Sequence, residues 1–350
     1  MGGLALKAYD VKRLEGDDYA TACESALAAV NAVLDAHSIA SPARLIPSYR
    51  QKTSHGDVDI IVSNELLGSL NAAKIASSVG KELGVQNAQF KVNDYVVSVA
   101  APHPEGGFYQ LDLLLFKPES LDFAHAYMSW NDVSTLLLRI AAPLQLSIGP
   151  NGLSYMVREE KAEPARIILT RDFKQALEFF KLDYERWTKG FDSMEEIYEF
   201  IAACPSVTQK NFELGMMQAS VRKGFAKRPG YLGFLEWLNN NPVTHKKFNW
   251  RAYLNNQKST LWAAFPGAKD DYDAFIATLE RKRAVATAFN GKMVIEVTGL
   301  EGKALGEFII AYKASHASQA AFEEFVVSSD RSIVFDSIRD FLGGYKVNVE

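Results

Sequence analysis

Between Asp17 and Asp35 the residues Ala, Leu and Val recur at three- and four-residue spacings, which predicts an amphipathic helix with Asp17 or Asp18 capping its start. Four apolar segments then follow at 43–47, 57–62, 95–101 and 108–116, rich in Val, Ile, Leu and Tyr and punctuated by Gly, Pro and Asn, and these predict strands. A helix from Leu66 to Leu83 interrupts them. Strand, strand, helix and further strands in that order predict a mixed sheet covered by helices, an α/β or α+β domain. The pattern becomes helical again from Leu121 to Leu146, and Pro150, Asn151 and Gly152 turn the chain into a short strand at Ser154–Val157. The charged stretch Arg158–Pro164 is the expected boundary between a first domain, 1–160, and a second, 161–350. Segments near 171–181, 193–203, 209–223, 229–239, 270–288, 304–314 and 318–342 carry helical periodicity with aromatic anchors, so the second domain is expected to be mainly α-helical.

Composition narrows the chemistry. A hydrophobic content of 48% over 350 residues is that of a globular protein, and the two cysteines, Cys23 and Cys204, exclude a disulfide framework or a Cys-based zinc site. His37, His103, His125, His245 and His316 show no zinc spacing either, so any metal chemistry must use oxygen ligands. No apolar run approaches the roughly 20 residues of a membrane helix, and the N-terminus has no signal-peptide pattern; the expectation is a cytoplasmic protein without a membrane partner. Net charge is −4, yet residues 1–160 carry 12 Lys and Arg against 18 Asp and Glu, while the remainder carries 26 against 24. An acidic module is therefore followed by a slightly basic one, a division that suits a catalytic part beside a part that meets phosphate.

The acidic residues have a pattern. In Gly56-Asp57-Val58-Asp59-Ile60-Ile61-Val62, residues two apart on a strand point to the same side, so Asp57 and Asp59 project together while Val58 and Ile60 enter the packed face. Adjacent carboxylates repel unless a hard cation lies between them, and oxygen-only ligation at a partly hydrated site is what Mg²⁺ prefers, with Mn²⁺ as the alternative. A third carboxylate, Asp112, sits in the apolar strand Tyr109–Phe116, where an acidic residue needs a reason. Strands lie about 4.8 Å apart, which brings Asp112 within reach of an ion held by the other two. Two ions about 3.5–4 Å apart would stabilise both the attacking and the leaving oxygen when pyrophosphate is displaced from a nucleoside triphosphate.

Ser48, then Gly56-Asp57-Val58-Asp59, then Asp112 in an apolar strand resembles the signature of the DNA polymerase beta superfamily of nucleotidyltransferases. Tyr127-Met128-Ser129-Trp130-Asn131-Asp132 with Thr135 and Arg139, followed by Gly152-Leu153, is similar to the nucleotide-binding helix and hairpin of family X DNA polymerases, and the likeness covers about residues 43–157, in the manner of a phage-type branch. The resemblance implies a polymerase beta-like mixed sheet with helices, an NTP or dNTP substrate and transfer of a nucleoside monophosphate to a hydroxyl, with a nucleic-acid 3′ end as preferred acceptor. It assigns Asp57, Asp59 and Asp112 to two Mg²⁺ ions and catalysis, Ser48, Gly56 and Arg50 or Lys52 to the phosphates, Tyr127 to the sugar, and Asp132, Thr135 and Arg139 to the nucleotide. Spacings of three and seven from Asp132 also place Thr135 and Arg139 on one helix face independently of the family. The family's Gly-Ser pair is Pro47-Ser48 here, which removes one backbone amide from the phosphate cradle. Thr298–Ile310 resembles a helix-turn-helix element of CCA-adding tRNA nucleotidyltransferases; the basic clusters Arg222-Lys223 with Lys227-Arg228, and Arg281-Lys282-Arg283, read either as an extension of an RNA-binding surface or as solvated helix faces. Trp130 reads as core packing, Tyr127 equally as core or sugar contact, and His55 as an exposed loop histidine. The same metal chemistry would serve transfer to a protein or a small molecule, and a non-catalytic binding protein would retain the pattern without turnover.

Overall fold

The computed structural model describes residues 5–158, 165–243 and 248–345, and the chain divides into two compact units, Met1–Ala268 and Lys269–Glu350. The expected boundary at 160/161 lies outside the described residues. The strands flanking it, β9 (Gly152–Val157) and β10 (Ala165–Thr170), pair antiparallel, so the first unit runs past that point and takes in the helices up to Ala264.

The class is α+β. In the first unit β2 (Arg44–Leu45), β4 (Asp57–Ser63), β7 (Phe108–Phe116), β6 (Val96–Pro102) and β5 (Phe90–Asn93) form a five-stranded sheet in that spatial order. Only β4–β7 is parallel; the other pairs are antiparallel. A two-residue ladder joins β1 (Leu14–Glu15) to β3 (Ser54–His55), and β8 (Leu146–Gly149) adds to β9 and β10 as a three-stranded sheet. Alternation decides which face each residue takes. Val58, Ile60 and Val62 of β4 and Leu111, Leu113 and Leu115 of β7 pack with α1 (Gly16–Ala36) and α3 (Ala72–Glu82), which follows α2 (Leu66–Ser69). The opposite face is apolar at one end, where Ile61, Leu114 and Phe116 pack under α4 (Leu121–Met128), and polar at the other, where Asp57, Asp59 and Asp112 lie.

Several expectations are corrected. The helix expected over Leu66–Leu83 is two, because the Asn71 side chain accepts from the Lys74 N–H at 2.9 Å and starts α3 anew. Leu121–Leu146 is broken between α4 and α5 (Val133–Ala141) by Trp130 and Asn131, both left-handed at φ 66° and 63°, and its last residue opens β8. The N-cap of α1 is Glu15, with no side-chain cap; Asp17 and Asp18 occupy the first turn, where negative charge meets the positive end of the helix dipole. The strand expected at 43–47 is only the two residues of β2, and β10 is a strand within the part expected to be mainly helical.

The rest of the first unit is helical: α6 (Phe173–Phe179), α7 (Tyr184–Lys189), α8 (Met194–Ala202), α9 (Gln209–Phe212), α10 (Ala219–Phe225), α11 (Pro229–Asn240), α12 (Trp250–Asn255) and α13 (Gln257–Ala264). Beyond α14 (Gly267–Ala288), the second unit folds α15 (Gly291–Thr298), α16 (Gly302–Ala314), α17 (Gln319–Ser328) and α18 (Arg331–Gly344) around Phe289, Val294, Phe308, Tyr312, Phe322 and Ile338. Gly299 and Gly302, both at positive φ, form the turn between α15 and α16. Among the described residues no helix is long and apolar enough to cross a membrane.

Candidate functional site

Parallel register sets Asp59 of β4 directly opposite Asp112 of β7, and Asp57 opposite Gln110. All four share the polar end of one sheet face, and a carboxylate oxygen from each of Asp57, Asp59 and Asp112 lies within 4.8 Å of the other two. The site thus needs no loop to converge; two strands and a period of two are sufficient. On the far side of β7, Ser98 of β6 is the register partner of Asp112 and hydrogen-bonds its carboxylate.

Gln110 was not singled out by its sequence. It is 3% exposed, and its Nε2 donates to both Asp112 oxygens, at 3.0 and 2.9 Å. Its Oε1 accepts from the Ala5 and Leu6 N–H groups at 3.0 and 3.2 Å, so the amide is oriented by the N-terminal segment and in turn orients the carboxylate. The available signal was its position two residues before Asp112, on the same side of an apolar strand.

Burial pushes the Asp112 carboxyl up to about 6, with Asp57 adding to it, against hydrogen bonds from Ser98 and Gln110 that favour the ionised form. Asp59 is held well above the usual carboxylate range, first by burial and then by the charges of Asp57 and Asp112. Three acids crowded in this way form a strong sink for positive charge. One cation is supplied by the chain: Lys52 lies close enough for Asp57 and Asp59 to support its charge, although burial is the larger influence and lowers its pKa. Its Nζ is 3.5 Å from Ser48 Oγ. The donor set, three carboxylates with hydroxyl and ammonium groups beside them, fits Mg²⁺ or Mn²⁺ and offers nothing to a soft metal.

The segment carrying Ser48 is tightly fixed. Trp130 N–H donates to Pro47 O at 2.8 Å, and the Asn131 side chain accepts from Tyr49 N–H at 3.2 Å. Arg50 and Gln51 N–H groups donate to Phe191 and Asp192 carbonyls at 3.0 and 2.9 Å, and Lys52 N–H to Tyr49 O at 3.1 Å. The amides from Tyr49 to Lys52 are therefore committed within the fold. Arg50 is turned aside: its guanidinium pairs with Asp192 and donates to Lys189 O. Gly56 is buried between β3 and β4.

The residues expected to face a nucleotide are dispersed. Asp132 pairs with Arg228 at 3.2 Å, yet its charge is still felt by Lys52. Thr135 is 7% exposed. Tyr127 is buried and donates to Ser134 O at 3.4 Å, the core alternative of its two readings. Arg139 donates to Asn211 O and lies 6.0 Å over the Phe225 ring, so it belongs to a different part of the unit. His55 is corrected: it is 5% exposed, stacked on Tyr19 at 3.4 Å, and burial with the Lys52 charge pushes it down to about 4. It is a neutral packing group.

A second acidic set, Asp18, His103 and Glu105, is excluded as a metal site because both His103 nitrogens are taken, Nε2 by Arg13 O at 3.0 Å and Nδ1 by Glu105 N–H at 3.1 Å. Of the basic clusters, Arg281 is bound by Glu323 and Glu324, and Arg228 by Asp132. No family model matches the chain, and a search of curated proteins finds no match to it.

Proposed function

We propose that the chain is a divalent-metal-dependent nucleotidyltransferase, related to the polymerase beta superfamily, that moves a nucleoside monophosphate from an NTP or dNTP to a hydroxyl and releases pyrophosphate. The observation that carries the reading is the convergence of Asp57, Asp59 and Asp112 on paired strands, with Lys52 and Ser48 alongside. Asp57, Asp59 and Asp112 would hold Mg²⁺ or Mn²⁺, which supplies charge for the attacking and leaving oxygens. Lys52 and Ser48 grip the terminal phosphates, by charge and hydrogen bond respectively. Gln110 and Ser98 hold Asp112 in a fixed orientation, from which it accepts the proton of the attacking hydroxyl.

The preferred acceptor is a nucleic-acid 3′ end. A second reading, transfer to a protein or small molecule, is supported by the ion pairing of Arg228 and Arg281, which withdraws charge that phosphate backbones would need. The test is incubation with each α-phosphate-labelled NTP and dNTP in Mg²⁺, together with RNA, DNA oligomers and protein, comparing wild type with Asp57→Ala. Label incorporated by the wild type and absent with the variant supports transfer, and its acceptor decides between the two readings. Equal labelling by both forms, or none by either, refutes it.

A further inference from the structure

A cavity of about 680 Å³ opens between α5, the β8–β9 hairpin and α10, and its lining includes none of Ser48, Lys52, Asp57, Asp59 or Asp112. Three arginines, Arg139, Arg158 and Arg166, line it, and among the described residues no carboxylate does. Arg166 is the cross-strand partner of Met156, and Arg158 lies two residues beyond Met156 on the same side, so the two exposed guanidinium groups are diagonal neighbours. Like charges placed side by side at a cavity wall repel, and an anion between them converts that repulsion into binding. Arg139 is already anchored by Asn211 O and the Phe225 ring, so its guanidinium loses little freedom on meeting a ligand. Arginine's planar fork matches phosphate oxygens two at a time.

The remaining wall is mixed: Gln145, Ser147 and Gln218 are polar, and Met156, Met216, Met217, Val221 and Phe225 form a soft apolar part. Aromatic faces and thioethers accept a flat ring by stacking and by adapting to its outline. We infer that this cavity is a second nucleotide site, independent of the carboxylates and of metal, which binds the phosphate of one nucleotide unit through Arg139, Arg158 and Arg166 and its base against Met156 and Phe225. Two sources carry that chemistry, a free nucleotide and the end of a strand.

Calorimetric titration of the full chain with AMP in EDTA tests the inference, because chelation silences the carboxylate site. Saturable binding is expected in the wild type and unchanged in Asp59→Asn, with affinity at least ~100-fold weaker in the Arg158→Glu/Arg166→Glu variant, since each charge-assisted contact is worth about tenfold or more. Both substitutions lie on exposed positions; an unchanged circular dichroism melt establishes folding, and single Arg166→Ala gives an intermediate loss. A trinucleotide of adenosine bound more tightly than AMP assigns the site to a strand, and the reverse order to a free nucleotide. No saturation by ~10 mM AMP, equal binding by the charge-reversed variant, or inorganic phosphate bound as tightly as AMP would overturn it. Failure of label transfer by the wild type leaves this outcome untouched, so the two readings fail separately.

Discussion

Asp112→Asn isolates what ionising a buried, crowded Asp112 costs the fold. Burial, aided by Asp57, raises the Asp112 carboxyl from 3.8 to about 6, so the folded protein binds this proton more tightly than the unfolded chain does. The associated stability is complete below about pH 4 and disappears as pH rises through about 6. A shift of about two units at 1.36 kcal/mol each gives ~3 kcal/mol, an upper figure because the site retains some solvent. Asparagine cannot titrate, and the mismatch of its amide with the Gln110 amide is the same at every pH. Urea denaturation of both proteins in EDTA, at about pH 4 and again at about pH 7.5, should show the variant gaining up to ~3 kcal/mol on wild type between the two conditions. Millimolar Mg²⁺ should then narrow the gap at the higher pH by stabilising only the protein that retains all three ligands. A difference between variant and wild type that stays within ~0.5 kcal/mol across the range would refute the account of crowded, ion-seeking carboxylates.

Gln110→Leu strips both hydrogen bonds from Asp112 and leaves the Ala5 and Leu6 N–H groups without their acceptor, so a loss of about 2–4 kcal/mol is expected in urea denaturation; a loss under ~1 kcal/mol contradicts the role given to this amide. Gly190 stands at φ 74°, and a Cβ there would lie 2.4 Å from Trp130 Cη2, so Gly190→Ala should lower stability by roughly 2–4 kcal/mol, and an unchanged melting temperature would show that the indole yields freely. Lys52→Met removes the ammonium beside Ser48 and should raise KM for the triphosphate about 10- to 100-fold in the label-transfer assay; an unaltered KM places the phosphates elsewhere.

How much of this was readable in advance depends on the range of the information. The carboxylate strands were legible because alternation is local: Asp57, Val58 and Asp59 declare their faces within three residues, and the register then brings Asp112 across. Gln110 was not, since its meaning depends on Ala5 and Leu6, more than a hundred positions away. The break after Met128 was hidden for the same reason. Trp130 and Asn131 carry no glycine or proline signal, and their left-handed backbone is sustained by hydrogen bonds with Pro47 and Tyr49. Arg50 and Lys52 looked alike in sequence; Asp192 and the Lys189 carbonyl, contributed from far along the chain, tell them apart by drawing Arg50 away. His55 was misread because a polar residue beside Gly56 suggests solvent, whereas the Tyr19 ring covers it.

The like-directed pairing of β4 with β7 ties the three acids to the completeness of the sheet. No hairpin can join those two strands, because α2, α3, β5 and β6 lie between them in the chain, whereas β5–β6 and β6–β7 are ladders between sequence neighbours. β4, which carries Asp57 and Asp59, therefore meets Asp112 only through contacts far apart in sequence. The three carboxylates come together only where the β4–β7 ladder is formed, so any ion that needs all three would bind the folded chain and not the unfolded one.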